Sequence, residues 1–399
     1  MTESFRLVSL RHLQPPACDL SFLSRESAQQ VRRFHQSFPQ YHPTPLRRLT
    51  ATAQALGLND VCVKDESFRF GLNAFKVLGG SYAIARELSR RLGISPEEMT
   101  FERLSDPRTR ARLGDLTFVT ATDGNHGRGV AWAASRFGFR SVVYMPHGSA
   151  EERLNNIRAE GAQASITDLN YDDAVRLASR MAQEHGWVMV QDTAWEGYED
   201  IPRWIMQGYA TMGLEAMEQL PWKPTHVFLQ AGVGSMAGAI AGLFQSVCGA
   251  ARPTVAVVEP NKADCVFRTA QAGDGQRHFV TGAMDTIMAG LACGEPCSIG
   301  WEILSDCADH FLSCPDYAAA QGMRVLASPL GEDPRVVSGE SGAAGFGCVC
   351  ELMRDPALAP LREQLGLNET SRVLLFSTEG DTDRENYRRI VWDGAYRRG

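Results

Sequence analysis

Between Val61 and Phe376, short apolar runs alternate with segments of helical period, and this alternation narrows the fold more than any other feature. Strands separated by helices pair parallel, and helices then cover the sheet faces. The pattern predicts strands over 61–64, 116–120, 141–146, 163–166, 188–191, 225–230, 254–259 and 371–376. Helices are expected over 49–56, from just beyond Lys76 to about 92, and over 129–137, 151–160, 171–185 and 204–220, with another after Gly238. The stretch up to about Gln40 reads as an irregular or short-helical arm. Residues 94–114, charged and broken by Pro96 and Pro107, read as a connection or insertion. The expected class is α/β. Several strands run into glycine- or hydroxyl-rich loops, and in open α/β sheets ligands bind at those carboxyl ends.

Composition removes competing classes. At 399 residues with 44% hydrophobic content, the chain can bury a large core in about two or three domains. A net charge of −7, with no basic stretch carrying aromatics, argues against a nucleic-acid partner. No apolar run is long enough for a membrane span, and the first residues lack a signal-peptide pattern. A soluble, cytoplasmic protein is expected. The ten cysteines do not form a disulfide framework and lack zinc spacing, so no metal site is expected. Cys265 and Cys293 each follow a neighbouring motif, and the sequence does not decide whether they meet.

The loops carry the chemistry. Lys76, in Asn73-Ala74-Phe75-Lys76-Val77-Leu78-Gly79-Gly80, falls at a loop-to-helix junction among apolar residues. Such surroundings desolvate an amine and free it to attack a carbonyl, although a lone lysine reads first as a surface residue along a helix end, and only the later motifs reverse that. Gly232-Val233-Gly234-Ser235, with Met236 behind it, joins a strand to a helix, where backbone amides bind phosphate. Glu259 at the next strand end keeps a dinucleotide reading open, against a displaced third glycine. Thr122-Asp123-Gly124-Asn125-His126 is a second strand-to-helix loop, suited to a carboxylate, with Asn125 able to donate to a cofactor oxygen. Read alone, His126 is a packed or capping histidine, and Asp123 and Asp192 are helix or turn caps. Ser377 and Thr378 end a strand where one hydroxyl could face a heterocycle nitrogen.

Together these motifs resemble the fold-type II pyridoxal-phosphate enzymes, from Thr44-Pro45-Leu46 to Asp383. Phe75-Lys76 is similar to their Schiff-base lysine, Gly124-Asn125-His126 to the substrate-carboxylate loop, and Gly232–Ser235 to the phosphate cup. Ser377-x-x-Gly380-Asp381-x-Asp383 is similar to the loop facing the pyridine nitrogen. Within that group the chain resembles the diaminopropionate ammonia-lyase family. The strings 121–128, 191–198, Met288-Ala289-Gly290-Leu291-Ala292-Cys293-Gly294-Glu295-Pro296 and Ser338-Gly339-Glu340-Ser341-Gly342 carry this. Asp123 stands where relatives acting on serine or threonine have serine or alanine.

The resemblance implies two open, mostly parallel sheets covered by helices. A smaller domain (91–208) would be inserted in a larger one (1–90 with 209–399), with the active site in the cleft between them. It implies pyridoxal 5'-phosphate on Lys76 and α,β-elimination of 2,3-diaminopropionate to pyruvate and ammonia. Asp192 would remove the Cα proton of the L isomer and Asp123 that of the D isomer, and a homodimer is expected. The alternatives are a serine or threonine dehydratase or a β-replacing synthase of the same fold, and a nicotinamide-dependent oxidoreductase resting on Gly232 and Glu259.

Overall fold

The computed structural model of the chain describes residues 4–10, 15–122 and 124–398. Its strands are β1 (Arg6–Ser9), β2 (Leu46–Arg48), β3 (Asp60–Asp65), β4 (Thr117–Ala121), β5 (Arg140–Met145), β6 (Gln163–Ile166), β7 (Val188–Met189), β8 (His226–Gln230), β9 (Thr254–Pro260), β10 (His310–Cys314) and β11 (Arg372–Ser377). They form a seven-stranded sheet, ordered β1-β10-β9-β8-β11-β3-β2, and a four-stranded sheet, ordered β6-β5-β4-β7. The inner strands of the large sheet and all strands of the small one pair parallel, as the alternation predicts. Both edges of the large sheet, β1 and β2, run antiparallel.

Parallel strands covered by helices are buried on both faces, so their sequences read as continuous apolar runs. β4, β8 and β11 follow this rule. β3 departs from the alternating pattern read in Val61-Cys62-Val63-Lys64, because Lys64 is itself buried. The Lys64 ammonium is answered by Glu215 at 2.7 Å, and Glu215 also pairs with Arg69 at 2.8 Å. Glu66 completes this group against Arg69 at 2.8 Å. Burial would push the Glu215 carboxyl up, yet Arg69 and Lys64 pull it down to about 2.

Other segments also depart from expectation. The N-terminal arm contains β1, which pairs with β10, and a full helix over Arg25–Gln36. Residues 94–114 fold into short helices, Phe101–Ser105 and Pro107–Leu113, anchored by buried Met99 and Leu104. Their charge and prolines masked the two apolar anchors. The helix expected from Gly129 begins at Asn125, which puts Asn125 and His126 in its first turn.

What positions Lys76 is a close helix crossing. The helix Val77–Leu92 lies against Asp200–Gln219, which runs unbroken across residue 208. A Cβ on Gly79 would sit 2.7 Å from Ile205 and Tyr209 atoms, and one on Gly208 would run into the Leu78 carbonyl. Only glycine lets these backbones approach so closely. Among the described residues, no helix is long and apolar enough to cross a membrane.

Candidate active site

Lys76 caps the helix Val77–Leu92, and the Phe75 N–H donates to the Thr378 carbonyl at 3.0 Å, which stitches this loop to the end of β11. The sequence suggested an apolar collar around the amine. Phe75 does lie beside it, with the ring centroid 5.7 Å from Nζ. The close partner, however, is a carboxylate: Lys76 Nζ donates to Asp192 Oδ2. Asp192, just past β7, is 2% exposed. Its Oδ1 accepts from the Tyr171 hydroxyl at 3.3 Å. Burial favours the protonated acid, but the Lys76 ammonium and the Tyr171 hydroxyl outweigh it and hold the Asp192 carboxyl well below the usual range. His126 donates from Nε2 to the Val190 carbonyl at 2.8 Å, which leaves Nδ1 facing Asp192 at 3.9 Å. Burial keeps this imidazole neutral by pulling its pKa down.

Lys76 and Asp192 line the same cleft. Thr122, Asn125, His126, Gly232, Val233, Gly234, Ser235, Met236 and Thr378 also line it, so separated stretches of sequence converge on one place. Asp123 lies outside the described residues. Ser377 is turned away: its hydroxyl donates to Ser338 Oγ at 2.8 Å in the core. Thr378 is therefore the hydroxyl that faces the cleft. It accepts from Gln230 Nε2 at 2.9 Å, so its own hydrogen is left to donate to an acceptor.

The glycine loop fits a phosphate. Gly234 has φ +93°, a left-handed conformation, and begins the helix Ser235–Cys248 with no side-chain cap. The first-turn amides of that helix have no intrahelical partner and carry positive potential. A Cβ on Gly232 would lie 3.1 Å from Cys293 Sγ and from the Gly290 carbonyl, so the cradle has no room for a side chain. Ser235 donates to the Asp192 carbonyl at 2.6 Å and ties the loop to the acid. Amine, amide cradle and hydroxyl together match the needs of pyridoxal phosphate: a Schiff-base partner, a phosphate site and a donor for the ring nitrogen.

The dinucleotide reading falls here. Glu259 is 1% exposed and accepts from the Val266 and Phe267 amides at 2.9 and 2.5 Å. It caps the helix Cys265–Ala272 and is not available to a ribose. Cys265 and Cys293 both flank Gly232, and neither is in a disulfide. Among the described residues, no cluster of His, Cys, Asp or Glu could hold a metal ion.

Four polar cleft residues were not singled out from sequence: Tyr171, Gln230, Ser341 and Glu379. Ser341 and Glu379 sit inside strings quoted for the resemblance. Tyr171 opens a helix and Gln230 closes a strand, and neither position carries a local signal.

A half-buried lysine amine, a glycine cradle and an inward-facing hydroxyl lie together at the carboxyl ends of parallel strands. The model of pyridoxal-phosphate-dependent enzymes matches residues 38–365, and the chain belongs to that family; its cofactor is pyridoxal 5'-phosphate. Over 380 residues, 94% of each chain, it is 52% identical to a diaminopropionate ammonia-lyase of Salmonella typhimurium. The fold matches Escherichia coli diaminopropionate ammonia-lyase in complex with D-serine, with a TM-score of 0.92 and 48% identity over 99% of this chain and 98% of that one. It matches the same enzyme with an aminoacrylate-PLP azomethine reaction intermediate at TM-score 0.91 and 48% identity, over 99% of both chains.

Proposed function

We propose that this protein is a diaminopropionate ammonia-lyase, a carbon–nitrogen lyase that eliminates the β-amine of 2,3-diaminopropionate. Hydrolysis then releases pyruvate and a second ammonia. The observation that carries this reading is Lys76 paired with Asp192 in a cleft that also holds the glycine cradle and Thr378. When bound, pyridoxal phosphate supplies an aldehyde carbon for amines and a ring that takes up negative charge from Cα.

The chain's own groups would do the rest. Lys76 Nζ would hold the cofactor's aldehyde carbon, the amides of the 232–236 loop would bind its phosphate, and Thr378 Oγ would donate to its ring nitrogen. A hydroxyl donor there would leave the nitrogen less positive than a carboxylate would, which suits prompt departure of the β-amine. Thr122, His126 and the amides opening the helix Asn125–Arg136, that of Asn125 among them, grip the α-carboxylate. Asp192 takes the Cα proton of the L isomer and Asp123 that of the D isomer from the opposite face. With Lys76 paired to it, Asp192 is a poor base. Once the amine is engaged elsewhere, the same burial raises its proton affinity at Oδ2. Acidic groups around the cleft would also compensate the substrate's second ammonium, a demand that serine does not make.

The same proposal takes 1–90 with 209–399 as the larger, cofactor-binding domain and 91–208 as the smaller one. Two separate sheets support it. A homodimeric assembly and a cytoplasmic location rest on the family alone. The test is the Lys76→Ala variant together with product assays. The variant is expected to lose the visible absorption of the lysine-bound cofactor and the activity. The wild type is expected to release pyruvate faster from diaminopropionate than from serine. A K76A protein that keeps both properties, or a preference for serine, overturns the reading.

A further inference from the structure

Glu379 follows Thr378 at the end of β11, lines the cleft and is 2% exposed. Its Oε1 accepts from the Ser341 amide at 3.2 Å, and its Oε2 accepts from Thr382 Oγ1 at 3.3 Å. Both partners belong to the large-sheet side and fix where the carboxylate stands. The remaining contact crosses the cleft: Asn125 Nδ2, at the start of the helix Asn125–Arg136, donates to Glu379 Oε2. The main chain reinforces this placement, because Ala74 bridges to Glu379 and the Gly339 N–H donates to the Glu379 carbonyl at 2.9 Å.

A carboxamide has a donor end and an acceptor end of nearly equal size, and little decides between them unless a neighbour does. Glu379 Oε2 accepts from both Thr382 Oγ1 and Asn125, so the nitrogen end of the Asn125 amide is the end that faces it. That nitrogen carries two hydrogens: one goes to Glu379, and the other is left for a ligand in the cleft. We propose that Glu379 is a positioning residue that fixes the Asn125 amide across the cleft, so that Asn125 presents an N–H and not its carbonyl to the ring oxygen of the cofactor. The inference rests on the reading that Asn125 donates to a cofactor oxygen. Turned the other way, the carbonyl would oppose a negatively charged oxygen and weaken its hold.

The test titrates pyridoxal phosphate into cofactor-free protein and reads the apparent Kd from tryptophan fluorescence. The position of the visible band is recorded at saturation. Glu379→Gln, which can donate as well as accept, is expected to weaken binding about tenfold, the scale of one lost charge-assisted hydrogen bond, and to shift the band. In an Asn125→Ala background, the same substitution is expected to change neither quantity further. Wild-type affinity and band in E379Q, or equal effects with and without Asn125, overturn the proposal. Should E379Q fail to fold, Glu379→Asp takes its place: it keeps the acceptor but withdraws it from Asn125, and the same weakening and shift are expected, with unchanged values overturning the inference. If N125A itself binds like the wild type, the reading of Asn125 fails and the role of Glu379 fails with it. If N125A is weakened while E379Q is silent, only the role of Glu379 fails.

Discussion

Paired with Lys76, the Asp192 carboxylate is stabilised as an anion, and in the proposed function its separation from that amine would leave a desolvated proton acceptor. If Asp192 and Asp123 serve opposite faces of the substrate, their substitutions separate by stereochemistry. Asp192→Asn is expected to lose about 10²- to 10⁴-fold in kcat on the L isomer and much less on the D isomer, with the reverse for Asp123→Asn. Steady-state assays on the separate isomers decide it, and equal losses on both would sink the two-base scheme. At this scale Gly232–Ser235 was legible locally, as a glycine turn before a helix, whereas Lys76 stood out only beside the other motifs, and its carboxylate partner Asp192 left no local sign. Ser377 and Thr378 were not separable in sequence. Which hydroxyl points inward depends on the phase of the strand, and the structure shows Ser377 bound to Ser338 while Thr378 takes Gln230.

The elements behind Lys76 are held by groups that no local pattern announces. His35, on the helix Arg25–Gln36, accepts at Nδ1 from Thr211 Oγ1 at 2.8 Å and donates from Nε2 to the Leu78 carbonyl at 3.1 Å. It thereby joins three helices, and burial, assisted by Arg69, pulls its pKa down to about 3. In the unfolded chain it titrates near 6.5. Between those values the unfolded state binds a proton that the native state refuses, so His35 lowers stability as pH falls from about 6.5 towards 3. His35→Gln removes this dependence. The variant loses stability at pH 7 through the broken bonds, but relative to wild type it is expected to regain about 2 kcal/mol between pH 7 and pH 5. Urea unfolding at the two pH values measures this, and parallel pH slopes for both proteins would contradict it. The buried group of Lys64, Glu66, Arg69 and Glu215 holds the loop before Lys76 in the same way. Each residue alone reads as a surface charge.

Across the whole molecule, the cleft exists because two sheets present the carboxyl ends of their strands to each other. The large sheet supplies the cradle, Thr378 and Glu379, and the small-sheet side supplies Thr122, Asn125, His126 and Asp192. The proposed homodimer is checked by light scattering on a size-exclusion column, where twice the chain's 43.8 kDa is expected and a monomer mass refutes it. By itself, the sequence determined the fold class, the parallel pairing and the loops that carry chemistry, because hydrophobic period and glycine placement act over a few residues. The antiparallel edges, the helices within 94–114, the inward turn of Thr378 and the carboxylate opposite Asn125 were decided only by the tertiary structure. Those features depend on which distant segments bury one another, and residues hundreds of positions apart leave no local trace of that choice.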